Sequence, residues 1–205
     1  MRAASLRQAR WQAHLGSRAA PANMRAWLRA DGSLTARLVA HSAAFRVQRL
    51  HQRSALCLAD EAQAIGMPRP GRVWEREVLL RCDGAAVVFA HTVVPWSNSA
   101  FDWPLFGALG ERSLGSTLFD DPLVRRGALE FARLRAGHPL VQRARAALGV
   151  APTPDNDLIA PIFHARRCLY RRHQGTLLVT EVFLPAVTSL IAVPVIAAPT
   201  ITNQN

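Results

Sequence analysis

The chain has 205 residues and a mass of 22.5 kDa, and it carries 25 basic against 14 acidic side chains for a formal charge of +11. Every basic residue is arginine, so Schiff-base lysines, pyridoxal phosphate anchors and lysine-dependent phosphate loops are all excluded. Half of the residues are hydrophobic, a folded rather than a disordered composition, and the length fits one domain with a sizeable core.

The cysteines, Cys57, Cys82 and Cys168, are odd in number and widely spaced, which implies no disulfide framework and a reducing compartment. The histidines form neither H-x-x-x-H nor H-E-x-x-H, so no metal site is expected. Before the first acidic residue, Asp31, come six arginines. Residues 1–20 read as an arginine-rich terminal segment, either a surface segment or, by composition, a transit-type sequence.

Residues 21–186 read as one domain. Pro21–Ala30 predicts a short helix with Met24, Trp27 and Leu28 on one face. Ser33 is an N-cap for a second helix through Leu34, Leu38 and Val39. Phe45–Leu50 predicts a strand. Asp83-Gly84 marks a hairpin between strands at Val73–Arg81 and Ala86–Val94. Ser113 caps a helix at Leu114–Phe119, and Leu129–Leu134 alternates as a strand. Residues 137–161, rich in proline, read as a loop or insertion. Arg166–Arg172 and Thr176–Leu184 predict a second hairpin. The sum is an α+β fold with a single antiparallel sheet of about six strands and helices packed on it.

From Val182 to Ile201 the chain is uncharged and long enough to span a bilayer, but Pro185, Pro194 and Pro199 interrupt it. Membrane insertion is not expected, and residues 187–205 read as an apolar tail.

Two charges fall on apolar strand faces. Alternation places Arg76 with Trp74, Val78 and Leu80, and Glu181 with Leu177, Val179 and Phe183. Buried charges need partners. Arg76 and Glu181 either pair with each other, reach water at strand ends, or line a closed pocket where Arg76 forks a ligand carboxylate and Glu181 accepts from a hydroxyl. The helix starts at Ser33-Leu34 and Ser113-Leu114 offer backbone N–H groups to the same kind of small anionic ligand.

These residues carry a family likeness. W-x-R-E-V-L-L-x-x-D-G at Trp74–Gly84, T-V-V-P at Thr92–Pro95, L-G-x-x-x-L-G-x-x-L-F at Leu109–Phe119 and L-L-x-T-E-x-F-L-P-A at Leu177–Ala186 resemble the chorismate pyruvate-lyase family in order and spacing. The resemblance implies a chorismate lyase-like sheet enclosing a buried ligand. It implies release of pyruvate from chorismate to give 4-hydroxybenzoate, the first committed step of ubiquinone biosynthesis. It assigns Arg76 to the ring carboxylate, Glu181 to the ring hydroxyl, and main-chain groups of Leu114 and Leu34 to the site, with a methionine in the family where Leu34 stands. Residues 149–162 and the tail run longer than in the family.

No cofactor is implied, in keeping with an aromatising elimination. Arg166 or Arg167 is the candidate for the enolpyruvyl carboxylate. A cytoplasmic monomer is expected, with no nucleic-acid partner, because the arginines are dispersed and carry no RNA-binding motif. The rival reading is a non-catalytic aromatic-acid-binding effector module of the same fold. The 44 residues before the first predicted strand read as too few for an added DNA-binding domain.

Overall fold

The computed structural model describes residues 9–98, 102–104, 106–150 and 162–190. In chain order these form α1 (Ala22–Leu28), α2 (Leu34–Val39), β1 (Phe45–Leu56), α3 (Ala59–Ala64), β2 (Arg72–Cys82), β3 (Ala85–Pro95), α4 (Leu114–Asp120), β4 (Val124–Leu134), α5 (Pro139–Ala147), β5 (Phe163–Arg172) and β6 (Gly175–Phe183). Short 3-10 turns follow β3 and β6 at Trp96–Asn98 and Pro185–Ser189.

The strands form one antiparallel sheet in the order β1-β2-β3-β6-β5-β4, so the architecture is the expected α+β one. Its centre is built from two hairpins. In the first, Asp83 and Gly84 both take positive φ, 50° and 82°, the backbone of a type I′ turn whose twist matches the flanking strands. The central strands read as apolar runs because both faces of the sheet are covered. On the first face, α1 and α2 bury Trp27, Leu28 and Leu38 against Val78, Leu80 and Phe183. On the second, α5 buries Leu140, Val141 and Ala144 against Leu79, Phe89 and Val182.

Three expectations are corrected. β1 runs on to Leu56 rather than ending at Leu50, because an irregularity between Arg49 and His51 breaks the alternation that would have revealed it. β4 begins at Val124 rather than Leu129, for the same reason at a bulge between Arg126 and Leu129. The stretch read as a loop from Gly137 contains α5. Pro139 stands at its first turn, where a proline costs no hydrogen bond, and His138 Nδ1 accepts from the Leu140 N–H at 3.3 Å. Helix α3 was not foreseen. Its start is fixed by Glu61, whose Oε2 accepts from the Leu58 N–H at 2.8 Å.

The arginine-rich segment, described from residue 9, packs on the domain. Gln12 exchanges two backbone hydrogen bonds with Phe131, and Trp11 donates to Asp60 Oδ2 at 2.7 Å. Of the apolar tail, Val187 is buried in the core, and residues 191–205 lie outside the described residues. Among the described residues no helix is long and apolar enough to cross a membrane.

Candidate active site

A cavity lies between the first face of the sheet and helices α2 and α4. Arg76 and Val78 of β2, Ala90 and Thr92 of β3, Val179 and Glu181 of β6, and Arg166, Cys168 and Tyr170 of β5 form its floor. Leu34, Thr35, Leu114 and Leu118 close it from the helix side. All four site residues expected from the sequence, Arg76, Glu181, Leu34 and Leu114, therefore line one cavity.

Arg76 is 2% exposed. One terminal nitrogen donates to the carbonyls of Gly110 and Arg112 at 3.1 and 3.0 Å, which ties the site to the loop entering α4. Its Nε has no partner among the described residues, and none of their carboxylates pairs with it. Burial, with the Arg49 charge added, pushes the guanidinium down to about 10. An uncompensated charge of this kind calls for an anion.

Glu181 does not pair with Arg76. Its Oε2 accepts from Arg166 Nε at 2.5 Å, and the carboxylate stays 18% exposed. Arg166 is 2% exposed, and its Nη1 donates to the carbonyls of Trp27, Leu28 and Ala30 at 3.5, 3.3 and 2.7 Å. It thus satisfies the last turn of α1, where cations are favoured, and fixes Glu181 with the same head group. Arg167, the other candidate from the sequence, points to the opposite face. There it pairs with Glu130 at 2.8 Å and lies 4.4 Å over the Trp11 ring.

The two covering helices meet at their N-termini. The Ser33 hydroxyl caps α2 by accepting from the Ala36 N–H at 3.3 Å. The hydroxyls of Thr35 and Ser113 lie 2.6 Å apart. Gly115 allows this approach, because a Cβ there would stand 3.2 Å from Thr35 Oγ1 and 3.3 Å from Ser33 Oγ.

The sequence reading missed Arg126, Cys168 and Tyr170, which also line the cavity. Tyr170 is buried, and desolvation, with Cys168 and Glu181 nearby, holds its phenol above the ordinary range. It also missed a polar cluster on the second face. There Glu75 and Glu77 are 1% and 3% exposed, and Arg143 Nη1 donates to both at 2.6 and 2.7 Å. His91, 1% exposed, stands between Glu77 Oε1 at 3.1 Å and Glu61 Oε1 at 2.9 Å. Burial alone would push the imidazole down, but the two carboxylates overturn this and hold it at about 10. The ligand atoms of His51, Glu75 and Glu77 converge within 4.8 Å, a spacing that could hold a metal ion, although Arg143 already supplies a cation to both carboxylates.

Comparison with known proteins identifies the class. Residues 5–192 match the model of the chorismate lyase family. The chain is 49% identical to the probable chorismate pyruvate-lyase of Cupriavidus metallidurans over 87% of this chain and 81% of that one. It is 52% identical to the one of Ralstonia nicotianae over 78% and 80%. A gene product of Staphylococcus aureus shares the fold at a TM-score of 0.50 and 9% identity, covering 76% of this chain and 89% of that one. The chain belongs to the chorismate lyase family.

Proposed function

We propose that the protein removes pyruvate from chorismate to give 4-hydroxybenzoate, with the ring held between Arg76 and Glu181. One observation carries this reading. Arg76 is a buried cation with no carboxylate partner among the described residues, and it shares a cavity with a carboxylate that Arg166 holds in place. A cyclic acid bearing a hydroxyl opposite its carboxylate satisfies both groups at once.

Arg76 takes the ring carboxylate by a charge-assisted fork. Glu181, through the oxygen not bound by Arg166, accepts from the ring hydroxyl. Backbone groups of Leu34 and Leu114 close the site from above. The ether bond at the ring carbon next to the hydroxyl breaks, and its electron pair leaves on the enolpyruvyl oxygen. The C–H pair on the hydroxyl-bearing carbon becomes the new ring double bond. The released proton ends on the methylene carbon, which completes pyruvate. Aromatisation drives the step, so the protein needs chiefly to fix a reactive conformer in a site closed to water. We read the protein as a cytoplasmic monomer that needs no cofactor, and its product as the aromatic precursor of ubiquinone.

The test mixes purified protein with chorismate and measures 4-hydroxybenzoate by absorbance and pyruvate by a separate assay. Equal amounts of both, lost in Glu181→Ala and Arg76→Ala, are expected. Tight binding of 4-hydroxybenzoate with no pyruvate released would overturn the lyase reading in favour of an effector module.

A further inference from the structure

We infer that Arg126 recognises the second carboxylate of the substrate, the one on the enolpyruvyl side chain; this rests on the lyase reading above. The sequence offered Arg166 and Arg167 for that role. The structure commits Arg166 to Glu181 and the end of α1, and turns Arg167 to the other face. Among the described residues, Arg126 is the remaining guanidinium lining the cavity besides Arg76.

Its placement is built by the backbone. Arg126 and Leu129 are three residues apart, so regular alternation would put them on opposite faces. The bulge between them restores both to the cavity face, pairing Arg126 with Tyr170 and Leu129 with Cys168. Gly127 is required there, since a Cβ would stand 2.7 Å from the Leu169 carbonyl oxygen. The Arg126 guanidinium then lies 5.7 Å over the Phe119 ring. Its Nε is buried without a partner among the described residues, and no carboxylate among them pairs with it.

The order of strands gives the direction. Glu181 on β6 lies two strands from Arg76 on β2 and two strands from Arg126 on β4. Each interval is roughly 10 Å along the sheet. A ring spanning Arg76 to Glu181 places its hydroxyl at β6. The ether on the adjacent ring carbon then extends away from Arg76, toward β4 and Arg126. One cation therefore serves the carboxylate kept in the product, and the other serves the carboxylate that leaves.

The experiment compares Arg126→Ala, Arg126→Lys and Arg76→Ala for turnover of chorismate and for binding of two probes. The probes are 4-hydroxybenzoate and 3-(carboxymethoxy)-4-hydroxybenzoate. Arg126→Ala should lower kcat/KM for chorismate and weaken the carboxymethoxy probe, each about 100-fold. Its affinity for 4-hydroxybenzoate should stay within about twofold. Arg126→Lys should recover part of the loss, and Arg76→Ala should weaken both probes. Equal loss of both probes in Arg126→Ala, or loss of neither, overturns the assignment. If the wild-type protein binds neither probe, the lyase reading itself falls and the assignment with it.

Discussion

Arg166 couples a helix end to the carboxylate in the cavity. One guanidinium donates through Nε to Glu181 and through Nη1 to three carbonyls at the end of α1. Glu181 cannot turn without disturbing the helix, and α1 cannot slide without pulling on Glu181. Lysine cannot reproduce this, because a single ammonium cannot serve both partners at fork geometry. Arg166→Lys should therefore stay folded yet lose about 100-fold in kcat, as positioning partners commonly do. Arg166→Ala leaves Glu181 and the carbonyls unpaired and should cost about 3–5 kcal/mol. Denaturant unfolding alongside steady-state kinetics separates the two effects.

Arg76 should behave in the opposite way, because its charge is buried with no compensating carboxylate among the described residues. Replacing it by methionine removes that desolvation cost while keeping most of the side-chain volume. The variant should unfold at the same or higher denaturant concentration, by up to about 1–2 kcal/mol, even though Gly110 and Arg112 lose a donor. Its affinity for 4-hydroxybenzoate should fall at least about 100-fold. A variant that is both less stable and still binds would contradict the view that the site is poised for an anion.

The cluster on the second face sets the pH range of stability. His91 is held at about 10, above its ordinary 6.5, so its contribution is full below 6.5 and disappears as the pH climbs to 10. Burial pushes Glu77 up, but His91 and Arg143 outweigh this and bring it to about 2, below its ordinary 4.5. Its contribution is full above 4.5 and is lost as the pH falls toward 2. Both contributions are complete between 4.5 and 6.5. Unfolding followed from pH 6 to pH 10 should show declining stability in the wild type and a flatter profile in His91→Gln.

The hydroxyl contact between Thr35 and Ser113 is a polar link between the two covering helices. A double-mutant cycle with Thr35→Val and Ser113→Ala should give a coupling of about 1 kcal/mol in stability. Both single variants should release 4-hydroxybenzoate faster, as measured by stopped-flow displacement. Coupling near zero would mean that this hydroxyl contact does not help to hold the helices together.

Local chemistry made part of this legible in advance. Asp83-Gly84 announced its hairpin because both residues accept positive φ. Strand alternation put Arg76 and Glu181 on apolar faces, and the structure places both at the cavity. The burial of Glu75 and Glu77 was not legible. A carboxylate on a strand reads as solvated until its partners are known, and these partners, Arg143 and His91, come from α5 and β3. Arg126 was hidden for a different reason. A bulge breaks the two-residue period, so β4 appeared to start after it. The role of Arg166 depends on carbonyls more than 130 residues away in sequence, which no local pattern encodes.

Strand β2 carries three consecutive buried charges, Glu75, Arg76 and Glu77, and they alternate between the two covered faces. A slip of one residue against β1 and β3 would exchange the two sets. Arg76 would enter the cluster occupied by Arg143, and two carboxylates would enter the cavity beside Glu181. Each misplacement sets like charges together where water cannot screen them. Apolar packing would resist such a slip only weakly, since the neighbours Val78, Leu79 and Leu80 suit either side. The alternating charges thus act as a key that admits β2 in a single alignment, and the residues proposed to bind substrate also help the chain find its pairing.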